Sequence, residues 1–171
     1  AVAEGQFDIV GAVGTANHGE LIVPPKSVSQ RTFSDDGDAD LLWEDLPLKW
    51  HFLVVHRGDV CEAACQEQLY QTRQIHIALG KEFNRVGRVV LTDLPADLIA
   101  VTSAAEAPSA AASTFDGTLA DWIAVEHAGV TALTLPAAEI EQLMPTTLGG
   151  GGHWYVVDPA GWIMMRVAND L

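Results

Sequence analysis

The sequence contains very few cysteines and few basic residues. Only two of its 171 residues are cysteines, Cys61 and Cys65, so a framework of several disulfide bonds is excluded. Nine Lys and Arg residues stand against 23 Asp and Glu residues, which gives a formal net charge of −14. This charge repels nucleic acid and anionic lipid, and no run of Lys or Arg is present to bind a phosphate backbone. We therefore expect no nucleic-acid partner, and a positively charged partner surface fits better.

Long hydrophobic runs are absent as well. No stretch of about 18 apolar residues is present, as a membrane-spanning helix would need. The first residues, AVAEGQFDIVG, lack the charged start and apolar stretch of a signal peptide. We expect either a soluble protein or the soluble part of one whose anchor has been trimmed away. Hydrophobic residues make up 49% of the chain, which is enough to build the core of one globular domain.

The N-terminal region has no sustained pattern, and we predict that residues 1–47 form an arm lying over the domain. Two adjacent prolines, Pro24 and Pro25, interrupt it, and so does the acidic run at residues 35–40. The spacing of that run matches no calcium-binding loop, so it is interpreted as solvated surface. Residues 48–171 are predicted to form the folded domain.

Patterns after residue 48 predict alternating strands and helices. Residues 48–56 are nearly continuous in apolar and aromatic residues, as in a strand covered on both faces. Residues 62–84 have the spacing of a helix, and residues 88–92 are predicted to form a second buried strand. Strand, helix and strand in this order predict a right-handed parallel crossover.

The second half of the domain adds an insertion, two short helices and a hairpin. The further predicted elements are a mid-chain insertion around 102–113, a helix at 119–127, a strand at 130–135, a helix at 136–144, and hairpin strands at 154–157 and 162–167. The complete order predicts an α/β protein with a thioredoxin-like fold around a central mixed sheet.

The two cysteines are predicted to lie where the first strand gives way to the long helix. Unpaired N–H groups and the helix dipole at such a terminus favour the thiolate, which is both a nucleophile and a metal ligand. A separation of four residues lets the two sulfurs share a soft metal ion or, with some unwinding, close a disulfide. A structural pair with neither activity is the alternative.

A third metal ligand is predicted at His153, because it follows Gly149 to Gly152 and begins the hairpin. Two thiolates and one imidazole form a soft set that suits Cu(I), and a further weak ligand would also admit Cu(II) or Zn(II). A loop histidine without a metal is the simpler interpretation of His153. His56, close to the cysteines in sequence, is an alternative ligand.

Several of these residues carry a resemblance to the Sco/SenC family of copper chaperones for cytochrome c oxidase, best matched by thioredoxin-like relatives from bacterial oxidase gene clusters. The shared features are NHGELIVPP at 17–25, the Lys49-Trp50 lead-in, the CxxxC motif, the helix ending ALGK, and YVVDPAG preceded by His153. Sco proteins usually have proline after each cysteine, whereas Glu62 and Gln66 stand here. A register that aligns Arg57 with the first cysteine would abolish the metal site, but counting from Trp50 without gaps favours CxxxC.

The resemblance implies a metallochaperone that binds copper, Cu(I) and possibly Cu(II), through Cys61, Cys65 and His153. The expected partner is the copper-bearing subunit of cytochrome c oxidase or another copper chaperone. The expected location is the periplasmic face of the bacterial inner membrane, with a single N-terminal anchor outside this sequence. Two alternatives remain open: a thiol-disulfide oxidoreductase that uses Cys61 for attack and Cys65 for resolution, and a non-catalytic assembly scaffold.

Overall fold

A computed structural model describes residues 19–35, 38–102, 115–145 and 153–168. Within these ranges the chain forms eleven strands and three α-helices. The strands are β1 (Glu20–Ser27), β2 (Thr32–Ser34), β3 (Asp40–Leu42), β4 (Trp50–His56), β5 (Val60–Cys61), β6 (Val86–Thr92), β7 (Ala100–Val101), β8 (Gly117–Thr118), β9 (Val130–Thr134), β10 (His153–Val157) and β11 (Trp162–Ala168). The helices are α1 (Ala63–Ala78), α2 (Leu119–Glu126) and α3 (Ala137–Leu143).

Eight of the strands form one mixed sheet in the order β1-β11-β10-β4-β6-β9-β2-β3. Its centre, β4-β6-β9, is parallel, and the flanking pairs are antiparallel. A smaller sheet, β5-β7-β8, lies beside the start of α1. The parallel centre arises because helices connect its strands, which confirms the predicted α/β fold with a central mixed sheet.

Side chains alternate along the central strands and supply two cores, one on each face of the sheet. Phe52 and Val54 of β4 point towards α1 and α2, and their core also contains both cysteines. Leu53 and Val55 point towards α3, and their core includes Phe33 and Trp43 from the N-terminal segment. The sheet is therefore covered on both faces, as the continuous apolar run in β4 predicted.

The predicted elements after residue 115 are present, with small differences at their ends. The long helix is shorter than predicted: α1 ends at Ala78 and a 3-10 helix, Gly80–Arg85, follows it. Gly80 has φ +57°, a backbone conformation that favours glycine, and this residue separates the two helices. The glycine in the sequence was the signal for this break.

The N-terminal segment contributes strands that its irregular sequence did not predict. β1 pairs with β11 at one edge of the sheet, and β2 pairs with β9 and β3 near the other edge. Between these edges the segment passes α3, where Arg31 contacts Glu139 at 3.2 Å. The division of the chain at residue 48 stays a prediction.

Two predicted features lie outside the described residues: almost all of the mid-chain insertion, and the four glycines before His153. Among the described residues, no helix has the length and hydrophobicity needed to cross a membrane.

Candidate thiol and metal site

Cys61 and Cys65 are joined by a disulfide bond at the junction between β5 and α1. Cys61 is the last residue of β5, whereas Cys65 is the third residue of α1. Their exposed fractions are 0% and 3%, so the disulfide belongs to the core beneath α1. The predicted position at a strand-to-helix junction is confirmed. While the disulfide is formed, however, Cys61 does not face solvent.

The two cysteines differ in their electrostatic surroundings because only Cys65 lies within the helix. The first turn of an α-helix carries unpaired N–H groups and the positive end of the helix dipole, which stabilise a thiolate. The helix begins without a side-chain cap at Glu62, so no side chain competes for those N–H groups there. Once the disulfide is opened, Cys65 is therefore the sulfur better placed to hold negative charge.

A tight loop carries the chain from the end of β4 to Cys61. Its turn requires Gly58, which has φ +106° and donates its N–H to Asp93 Oδ1 at 3.0 Å. The His56 imidazole hydrogen-bonds the backbone of Val60 and Gly58 within the same loop. A histidine and a carboxylate from neighbouring strand ends thus fix the backbone immediately before Cys61.

Gln66 ties the cysteine segment to the small sheet. Its side-chain Nε2 donates to the carbonyl oxygen of Cys61 at 3.0 Å and to that of Thr102 at 2.7 Å. The residue is fully buried, and its bond to the Cys61 carbonyl is shielded from water. Gln66 therefore holds Cys61 against the strand β7, directly before the undescribed segment that begins at residue 103.

His153 begins β10, and the pairing of this strand determines where its side chain points. Antiparallel pairing of Trp154 with Val54 places His153 beside the carboxyl end of β4, the end that leads to the cysteines. However, Trp154 belongs to the core that contains the cysteines, and Tyr155 belongs to the core on the other face. Alternation along β10 therefore directs His153 to the face opposite the disulfide.

His56 lies on the cysteine face of the same sheet. It follows Phe52 and Val54 at the two-residue spacing of a strand, and both of those residues pack in the core with the disulfide. Its Nε2 is buried and has no hydrogen-bond partner. Burial lowers the pKa of His56, although the nearby carboxylates of Asp93 and Glu62 oppose this shift. The imidazole is thus held in the neutral form that binds metals.

Metal-binding capacity depends on the redox state of the cysteine pair. Within residues 19–35, 38–102, 115–145 and 153–168, no group of three or more His, Cys, Asp or Glu side chains is arranged to hold a metal ion. In the disulfide the sulfurs carry no charge, whereas reduction releases two thiolates, the soft ligands that Cu(I) prefers. The predicted set of Cys61, Cys65 and His153 stays a prediction for the reduced protein.

Sequence reasoning did not identify Gln66, Asp93 or the face of His56. Strand alternation counted from Phe52 could have placed His56 on the same face of β4 as Phe52 and Val54, since the buried strand itself was predicted. Gln66 and Asp93 act through backbone atoms of distant segments, and a single sequence carries no local signal for such contacts.

Comparison with known proteins supports the fold. Residues 50–124 match the family model described as "Transmembrane-like, thioredoxin-like, C-terminal domain". Among proteins with curated functions, none matches this sequence significantly.

Solved structures similar to this one include several Sco proteins. Copper-bound yeast Sco1 is 13% identical, with 80% of this chain and 78% of that chain covered and a TM-score of 0.51. BsSco, described as a Sco-family cytochrome c oxidase assembly protein with a disulfide switch, is 16% identical, with 85% of both chains covered and a TM-score of 0.51.

A third structure is a SCO1/SenC family lipoprotein from Bacillus anthracis. It is 15% identical, and the alignment covers 85% of this chain and 88% of the lipoprotein chain, with a TM-score of 0.53. The resemblance to the Sco/SenC family that the sequence motifs indicated is therefore confirmed at the level of the fold, which is thioredoxin-like.

Proposed function

We propose that Cys61 and Cys65 form a reversible thiol–disulfide centre in a Sco-like assembly factor. The observation that carries this proposal is the disulfide bond between a strand end and the first turn of α1. A thioredoxin-like fold with a cysteine pair at this junction is suited to exchange, because the helix terminus stabilises one of the two thiolates. The disulfide switch described for the structurally similar BsSco supports the same role.

Exchange requires distinct roles for the two sulfurs. In reduction, an incoming thiolate attacks Cys61 Sγ, the S–S bond breaks, and its electron pair leaves on Cys65, which α1 stabilises as thiolate. A second thiolate then attacks the incoming sulfur and releases Cys61. In the reverse direction, the Cys61 thiolate attacks a partner disulfide and Cys65 resolves the mixed disulfide. Because Cys61 is fully buried, attack requires local opening of the segment that Gln66 holds.

Trapping with glutathione disulfide tests these roles. The single variant Cys65→Ser is expected to accumulate a stable mixed disulfide at Cys61, since the resolving thiol has been removed. Cys61→Ser is the matched control and is expected to accumulate less adduct, because the Cys65 thiolate that α1 stabilises is the better leaving group and its mixed disulfide is cleaved again more readily. Mass spectrometry measures both adducts. If both variants react at the rate of an unfolded cysteine peptide, or if neither reacts, the cysteines are not an exchange centre.

Copper binding by the reduced protein is the second candidate function. His56 favours it, because a neutral imidazole with a free Nε2 lies on the cysteine face of β4. The fold shared with copper-bound yeast Sco1 supports it too. In this role Cys61, Cys65 and one imidazole hold Cu(I), and a copper-bearing oxidase subunit or another copper chaperone exchanges ligands with them. A periplasmic location with an N-terminal anchor belongs to the same proposal.

Anaerobic titration of the reduced protein with Cu(I) against a competing chelator tests this function. We expect one copper per chain, and Cys61→Ser should weaken binding. The variants His56→Ala and His153→Ala identify which imidazole binds copper. A loss of Cu(I) affinity only in His153→Ala supports the sequence prediction. A loss of affinity only in His56→Ala supports a ligand on the cysteine face. Failure of the reduced wild type to compete would remove the copper function. Normal oxidase assembly with a double Cys→Ser variant would indicate a scaffold.

A further inference from the structure

A second polar region lies at the other end of the parallel strands. A cavity of about 360 Å³ is present where β6 and β9 begin and α1 ends. Three cationic side chains line it, Lys49, Arg73 and Arg88, together with the single carboxylate Glu126. The chain has only nine Lys and Arg residues, so one third of its cationic side chains meet at this cavity.

Arg88 is a buried charge without a carboxylate partner. Only 7% of this residue is exposed, and its Nη2 donates to Leu69 O at 2.6 Å and to Thr72 Oγ1 at 3.0 Å. Its Nε is buried and has no hydrogen-bond partner. Among the described residues, no Asp or Glu forms an ion pair with it, whereas Arg31, Arg57, Arg73, Arg85 and Arg166 each have one. Buried charges are normally paired, so a bound anion would stabilise the Arg88 guanidinium.

The remaining walls of the cavity do not supply that anion. Arg73 donates from Nη1 to the backbone oxygen of Glu126 at 2.9 Å, while the Glu126 carboxylate is 3.8 Å away and half-exposed. His127 and His76 are neutral near pH 7, because burial and the nearby cations lower both pKa values, that of His127 to about 3. Three cations against one carboxylate leave a local charge of about +2.

We propose that this cavity binds a small tetrahedral dianion of the phosphate class. Guanidinium groups present planar, paired N–H donors that match phosphate oxygens, and two arginines, Arg73 and Arg88, line the cavity together with Lys49. The volume admits inorganic phosphate or a small phosphate monoester. This site is separate from the proposed thiol centre: the carbonyl that Arg88 binds, that of Leu69, lies one helical turn, about 6 Å, after Cys65 along α1, and Arg73, which also lines the cavity, lies one turn further on.

Thermal unfolding of the full chain in increasing inorganic phosphate, with ionic strength held constant by sodium chloride, tests the proposal. We expect Tm to rise by about 3 to 5 °C when phosphate exceeds its Kd about tenfold. Sulfate is expected to act similarly, and phenyl phosphate distinguishes a site for esters from one for the free ion. A Tm that follows only ionic strength would overturn the proposal.

Variants connect the effect to the cavity. Arg88→Met is expected to abolish the phosphate-dependent rise in Tm, whereas the matched control Arg31→Met, on the α3 side of the sheet, retains it. Because Arg88→Met removes buried hydrogen bonds and could prevent folding, Arg73→Gln provides a second measure, with an expected increase in Kd of about tenfold. Changes in the His127 ring resonances on phosphate titration locate the ion directly. An equal phosphate response in all three variants would place any bound phosphate elsewhere.

Discussion

The two ends of the parallel strands β4, β6 and β9 carry opposite charge. At the carboxyl end, the acidic side chains of Asp93 and Glu62 lie close enough to His56 to oppose the lowering of its pKa. At the amino end, Lys49, Arg73 and Arg88 surround the cavity. The chain as a whole has a net charge of −14, so the amino end departs from the average of the molecule.

This difference shows what net charge and motifs can each predict. The cysteine site could be located because its two reactive residues are four positions apart and form a recognisable local pattern. The cationic cavity could not, because its cationic residues are separated by up to 39 positions, between Lys49 and Arg88, and are brought together only when the sheet forms. The absence of a basic run is the reason to expect no nucleic-acid partner, yet it does not exclude a site for one small anion.

The largest expected difference between the two ends comes from removing the disulfide. Cys61→Ala combined with Cys65→Ala should lower the free energy of unfolding by about 2–3 kcal/mol, since it releases a short closed loop and removes buried sulfur atoms. The phosphate response at the amino end should persist in this variant. Urea unfolding measures the first effect. An unchanged unfolding midpoint would show that the disulfide does not stabilise the fold and that its role is limited to thiol–disulfide exchange.

Loss of the Gln66 hydrogen bonds is expected to have the next largest effect, again confined to the cysteine end. Gln66→Met leaves the carbonyl oxygens of Cys61 and Thr102 without this donor, at a cost of about 1–3 kcal/mol. If Gln66 restrains access to Cys61, the disulfide should also be reduced faster by dithiothreitol. Gln71→Met, which removes the bond to Trp154 Nε1 instead, is the matched control on the same helix. Equal reduction rates in both variants would contradict the restraint.

Most of the fold was predictable because its signals are local. The apolar run of β4, the helical spacing of α1 and the Pro-Ala-Gly turn before Trp162 each specify an element without reference to distant residues. Strands β1, β2 and β3 were not predicted, because Pro24, Pro25 and the acidic run interrupt the sequence pattern that indicates a strand. Their strand conformation comes from pairing with β11 and β9, which a single sequence does not reveal.

The candidate site was predictable in its residue types and less so in its geometry. Cys61 and Cys65 lie together as predicted, because their spacing and the helix start fix them. The position of His153 before the hairpin predicts a ligand, but the direction of its side chain depends on the register of β10 with β4. That register places His56, rather than His153, on the cysteine face, a distinction that the sequence alone did not make.

Acid sensitivity should distinguish the two ends through their histidines. The folded pKa of His127 is lowered from 6.5 to about 3, so its contribution to stability is present above pH 6.5 and is lost as the pH falls towards 3. Between pH 7 and pH 5 this loss is about 1–2 kcal/mol. His127→Gln should therefore flatten the decrease in unfolding free energy over this range. His56→Gln should flatten it less, since the carboxylates of Asp93 and Glu62 oppose its shift. Equal slopes in the two variants would contradict this ranking.

The smallest expected effects come from a matched pair of turn glycines, one at each end. Gly58 precedes the cysteines with φ +106°, and Gly129 lines the cavity with φ +96°. A Cβ at either position would have no atom within 4 Å, so alanine adds backbone strain without a steric clash. Each Gly→Ala variant should lower the unfolding free energy by about 1 kcal/mol. Only Gly58→Ala should change the rate of disulfide reduction, because Gly58 fixes the loop before Cys61 through its bond to Asp93. Only Gly129→Ala should change the phosphate response. If either variant altered both readouts, the two ends would be coupled through the sheet rather than acting as separate sites.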